Sequence, residues 1–113
     1  MSKFFAKVLS TMAALLVAAY LLPGISISSI WAGFFAAVVL VFVNGFIRPI
    51  FTILTIPFTI LTFGLFLFVI NAIMLSLTSV LVPGFYVAGF LSALIGSIIV
   101  SLVSSLLHSM LEE

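Results

Sequence analysis

Apolar residues in this chain fall in long unbroken runs, not in the alternation of a half-buried strand or the narrow stripe of a soluble helix. About 20 helical residues, rising about 1.5 Å each, cross the ~30 Å hydrocarbon core of a bilayer. On that measure four spans stand out, at about 4–22, 30–47, 64–82 and 89–111. Backbone N–H and C=O groups inside a bilayer have no water to bond, so runs of this length predict helices. A membrane barrel would show alternating segments of about ten residues, and that alternation is absent. The predicted fold is all-α, a multi-pass transmembrane helical protein.

Two breaks between spans are alike. Pro23-Gly24 and Pro83-Gly84 each close an apolar run, and a few residues later the next run begins. Proline disfavours helix in the residue before it and glycine permits a sharp reversal, so each break predicts the tip of a helical hairpin. The tips lie sixty residues apart, as in a tandem duplication of one hairpin. Identity at that offset is sparse: between Phe4 and Ile50 only Leu15, Leu21, Pro23, Gly24 and Val43 recur. Small residues make the better case. The last span carries Gly89, Ala93, Ser97, Ser101, Ser105 and Ser109 at every fourth position; the second carries Ser29, Gly33, Ala37 and Gly45, with Val41 interrupting. Small residues four apart line one helix face and let two backbones approach closely in lipid.

Between the hairpins lies the apolar segment 49–63, too short at about 22 Å for a comfortable crossing and interrupted by Pro57, with Pro49 at its start. It reads as a re-entrant or interfacial element, as an extension of the neighbouring helices, or as a fifth crossing that would invert the second hairpin. The non-crossing reading is preferred, because Thr52, Thr55, Thr59 and Thr62 give the segment a mild polar stripe suited to an interface.

Composition agrees with a lipid solvent. The chain is 66% hydrophobic and 4% charged, with a mean hydropathy of +1.66, whereas soluble domains carry about 25% charged residues. The charges are Lys3, Lys7, Arg48, Glu112 and Glu113. With four crossings the three basic residues fall on one side, which the positive-inside rule makes cytoplasmic, together with both termini. The setting expected is the bacterial cytoplasmic (inner) membrane. Tyr20, Trp31 and Tyr86 then sit near the outer tips, where interfacial aromatic rings belong.

Candidate chemistry is sparse. Without cysteine, thiolate sites are excluded; with no basic patch, nucleic-acid binding has no electrostatic footprint. His108 is the one histidine and the only acids are Glu112 and Glu113, from which no specific nucleophile–base pair or metal-ligand set can be assembled, so no catalytic residue, cofactor or metal is expected, and the histidine is read as interfacial. Energised transport is disfavoured by the lack of an intramembrane carboxylate. Arg48 lies about 27 Å along its helix from Ile30, at the membrane boundary, either as a topology anchor or as the organiser of a polar cluster. Asn44, one turn deeper, and Asn71 in the third span are expected at similar depth. A contact between them, with Arg48, would join the hairpins as packing glue or form a solute or lipid-headgroup site.

The run Asn44-Gly45-Phe46-Ile47-Arg48-Pro49-Ile50, with Leu54-Thr55-Ile56-Pro57, Thr62-Phe63-Gly64-Leu65-Phe66, Asn71-Ala72 and the two Pro-Gly tips, resembles the mycobacterial four-spanner phage holin superfamily, which takes in the YvlD-like bacterial membrane proteins. The resemblance covers nearly the whole chain; Gly45 departs from the alanine common there. It implies a holin-like architecture, and the name implies membrane permeabilisation, although most members are chromosomal proteins. The expectation is a small, non-catalytic membrane protein with membrane lipids as its surroundings, forming a homo-oligomer. The alternative is a small channel or lipid- or solute-translocating protein using Asn44, Arg48 and Asn71.

Overall fold

The structure is a computed structural model that describes residues 2–111, without the side chains of Ser2, His108 and Leu111. The interfacial place expected for His108, and the acidic pair Glu112 and Glu113, lie outside the described residues. Helix α1 (Ser2–Leu21) leads through strand β1 (Ile25–Ile27) to α2 (Ile30–Phe42), which continues through a π turn (Val43–Ile47) into α3 (Arg48–Leu54). Short helix α4 (Ile56–Leu61) precedes α5 (Phe66–Leu81), strand β2 (Phe85–Val87) and α6 (Phe90–Leu111). Among the described residues three stretches are long and apolar enough to cross a membrane, Lys3–Leu21, Ile30–Leu54 and Phe90–Leu107, and Phe66–Leu81 is a shorter apolar fourth. This is a four-span, all-helical membrane protein.

The hairpin tips are not separate corners. β1 and β2 pair antiparallel, Ile25 opposite Val87, Ser26 opposite Tyr86 and Ile27 opposite Phe85. Two further bonds extend the ladder, Ser28 N–H to the Gly84 carbonyl at 2.8 Å and Ala88 N–H to the Gly24 carbonyl at 2.7 Å. Both strands run buried, exposed, half-buried in the same order. Positions sixty apart also exchange partners: a Cβ at Gly24 would meet Ser92 and Ala88, and one at Gly84 would meet Ala32 and Ser28. The hairpins are thus related by an approximate two-fold axis through the strand pair. Sequence reasoning missed the pairing because three residues are too few for a strand signal, and β-branched or aromatic side chains here look like any apolar loop.

The four long helices close a ring in the order α1, α2, α5, α6. If the repeat were ideal, the α1–α6 and α2–α5 seams would match, yet α1 and α6 lie in close contact over much of their length while α2 and α5 touch over less. Side-chain size explains the difference. α1 buries Ser10, Ala14 and Ala18, whereas at the same offset α5 buries Ile70, Met74 and Thr78. Ile70 and Met74 pack on Val39, Val43 and Ile47 and hold the second seam open. Near the tips it widens into a groove of about 480 Å³ between Trp31 and Phe35 on one side and Leu81 and Pro83 on the other.

Alanines line much of the interior beside a few large side chains such as Leu15, Leu75 and Phe85, and the surface is large and apolar. Ala14, Ala18, Ala36, Ala37, Ala72 and Ala93 are fully buried, while Phe5, Ile30, Phe46, Ile53, Leu65 and Leu106 are exposed. Water would penalise that arrangement; lipid permits it, because close backbone packing then drives association.

Segment 49–63 forms α3 and α4, separated at Thr55. Pro57 falls in the first turn of α4, where its missing N–H costs nothing. The expected threonine stripe is turned inward on itself. Thr52, Thr55, Thr59 and Thr62 each donate to the carbonyl four residues back, at 2.7–3.1 Å, so the hydroxyls are satisfied locally. Thr62 also accepts from Phe66 N–H at 3.0 Å at the start of α5. α4 ends with Phe63 in the left-handed region (φ 54°) and Gly64 at φ 89°; Gly64 N–H bonds the Thr59 carbonyl at 2.8 Å, closing a Schellman turn.

Candidate functional site

At the end away from the tips, the bundle opens a small polar cavity. Its position follows from Pro49. Proline has no N–H for the carbonyl four residues back, and its ring crowds that carbonyl. The helix widens into the π turn just ahead of it, and Arg48 N–H bonds the Val43 carbonyl five residues back. Asn44 and Arg48 leave α2 at this turn, Asn71 reaches in from α5, and Ser97 and Ser101 complete the polar wall from α6. Leu40, Leu75 and Val100 form the apolar remainder. Arg48 and Asn71 are half-buried, Ser97 is buried, and Asn44 and Ser101 are exposed.

The cavity measures about 30 Å³, room for a water molecule or two. The expected amide contact between the hairpins is therefore a shared wall. No side-chain hydrogen bond joins Asn44, Arg48 and Asn71 among the described residues, and the hydroxyl of Ser97 turns back to the Leu94 carbonyl at 2.9 Å. Arginine contributes five N–H donors and each asparagine two, so the wall is rich in donors. Because no interhelical hydrogen bond among the described residues is lost with it, replacing Asn71 with leucine should change stability by less than the ~0.6 kcal/mol typical of a polar contact between membrane helices. Unfolding in mixed detergent micelles checks it.

The small-residue face divides in two. Gly33 packs on Ile27, Leu16 and Met12, and Ala37, Ala93 and Ser97 are buried. Among the described residues nothing lies within 4 Å of where a Cβ would stand at Gly45 or Gly89, so neither is a point of close approach between the described helices. Gly89 serves the chain reversal with φ 98°. Ser101 and Ser105 are exposed, Ser101 on the open polar cavity. Sequence reasoning missed Gly96, whose missing Cβ leaves room for the side chains of Ile25 and Leu75. It also missed Ser10, Ala14 and Ala18, which carry the same every-fourth spacing in the first span.

Among the described residues no group of three or more His, Cys, Asp or Glu side chains is placed to hold a metal ion. The family described as mycobacterial 4 TMS phage holin, superfamily IV, matches residues 2–106. The chain belongs to this family. A relative within reach of this phage-holin superfamily IV chain is the uncharacterized membrane protein YvlD of Bacillus subtilis, 40% identical over 100 residues, covering 88% of this chain and 84% of the relative. An uncharacterized protein of Streptomyces coelicolor is 38% identical over 123 aligned positions, covering 100% of this chain and 98% of its own. No solved structure matches the chain.

Proposed function

We propose that this holin-family protein is a non-catalytic, self-associating component of the bacterial cytoplasmic membrane, with both termini inside and the paired tips outside. The α3–α4 segment lies at the inner face without crossing. The carrying observation is the fate of the α6 ladder. Ala93 and Ser97 are buried within the chain and Ser101 lines the polar cavity, but Ser105 and Ser109 are exposed further along the same row. Small hydroxyl residues on a lipid-facing helix suit the close approach of a second backbone. Orientation is supported by Lys3 and Lys7 lying against Gly45 and Phe46, beside Arg48, so that the chain's basic residues gather at one end. Tyr20, Trp31 and Tyr86 are exposed near the other.

The chain has no cysteine, which makes the test direct. Ser105→Cys in native membranes should form an oxidised dimer, because disulfides need Cα atoms about 4.4–6.8 Å apart. Leu67→Cys, exposed on α5, should not. Equal cross-linking at both positions, or none at Ser105→Cys, contradicts self-association through α6. A second reading, passage of a small solute or lipid headgroup past Asn44, Arg48 and Asn71, is favoured by the donor-rich wall and opposed by its width. Leakage of small but not large dyes from reconstituted vesicles would support that reading over lesion formation.

A further inference from the structure

On the other side of α2 from the polar cavity, the first turns of α1 and the π turn enclose an open groove of about 430 Å³. Its rim carries Lys3 and Lys7, four residues apart and so on one face of α1. Its wall is a file of rings, Phe4 against Phe42 at 5.9 Å and Phe42 stacked on Phe46 at 5.9 Å and 12°. Gly45 lies in the floor, and the space where its side chain would stand is empty to 4 Å.

We infer that this groove binds one anionic phospholipid, its phosphate between Lys3 and Lys7 and an acyl chain along Phe4, Phe42 and Phe46. Charge is the first reason. Lys3 and Lys7 stand together on one rim of the groove, two ammonium groups beside an otherwise apolar lining. Ammonium groups at the edge of hydrocarbon need a counter-anion, and an anionic headgroup supplies one. Shape is the second. Beyond the lysines the lining is apolar and aromatic, which suits an acyl chain and offers a soluble anion nothing. The third is local design: the π turn displaces the outer face of α2 beside a residue without a side chain, and π turns recur at functional sites. A zwitterionic lipid brings its own ammonium to the rim and gains less there.

The full chain in detergent, titrated with phosphatidylglycerol or with phosphatidylcholine of matched acyl chains and read by native mass spectrometry, tests the site. Wild type should retain phosphatidylglycerol in preference. The K3Q/K7Q double variant should lose about thirty-fold in that binding, from two juxtamembrane charges, together with the preference. Gly45→Phe keeps both lysines and fills the groove, so binding of both lipids should fall. Circular dichroism and elution volume check that each variant is folded; both lysines are exposed, so K3Q/K7Q is the decisive arm. Equal retention of the two lipids by wild type overturns the assignment, as does unchanged phosphatidylglycerol binding in K3Q/K7Q. Competition by inorganic phosphate at millimolar concentration would make the site one for a free anion, and also overturns it.

Discussion

Replacing Gly84 with valine should destabilise the protein by about 3 kcal/mol, the sum of backbone strain and steric conflict. Gly84 holds φ 90°, a region that a β-branched residue enters only with strain. A Cβ there would stand 3.0 Å from the Ala32 Cβ and against the Ser28 side chain. Ser28 and Ala32 belong to the other hairpin, so the damage falls on the joint between the two repeats. Gly64→Val supplies the control. Gly64 has φ 89° but nothing within 4 Å of the added atom, so it reports backbone strain alone. Unfolding free energies in mixed micelles should show the larger loss for Gly84→Val, by about 1–3 kcal/mol. Equal losses would mean that the tips do not press on one another.

The unequal seams lead to a second large effect. Ala14 and Met74 are related by the sixty-residue repeat and are 0% and 1% exposed. If residue size sets the helix spacing, the two positions should not tolerate each other's side chains. Ala14→Leu should cost about 1–3 kcal/mol by overpacking the close α1–α6 seam. Met74→Ala should cost about 2–5 kcal/mol by leaving a void where Met74 meets Val39 and Val43. The same unfolding titration reads both. A neutral Ala14→Leu would show that the α1–α6 seam is loose and that something other than side-chain volume opens the other groove.

The membrane spans were legible because lipid imposes a simple rule: a long apolar run without charge has few alternatives to a crossing helix. Pro23-Gly24 and Pro83-Gly84 marked the reversals for equally local reasons. Boundaries were less visible. The second span reads as ending near Ile47, yet the helix continues to Leu54, because proline at the first turn of a segment after a π turn need not end the helix axis. The repeat was nearly hidden in residue identity, since lipid-facing positions demand only apolarity. It is plain in burial: Ile25 and Phe85, Ala36 and Gly96, and Leu40 and Val100 are each buried at the same offset. What sequence could not reach was pairing at a distance. Neither the β1–β2 ladder nor the meeting of Lys3 and Lys7 with Gly45 follows from spacing along one helix.

At the polar end, Asn44 and Asn71 were expected at similar depth from their distances to the span ends, and both line one cavity. The width of that cavity was not legible. It depends on the π turn, which Pro49 induces, and on Ile70 and Met74 holding α5 away from α2.

The joining of the two Pro-Gly tips into one strand pair carries the fold. Ser26 and Tyr86 are direct Cα partners in that pair and both are exposed. In a chain that otherwise lacks cysteine, S26C/Y86C should form an intramolecular disulfide on mild oxidation in native membranes, at a yield independent of expression level, and reduction should let one membrane-impermeant maleimide label both positions from the outer face. Failure to form the bond, with the two cysteines labelled from opposite faces, would contradict the architecture.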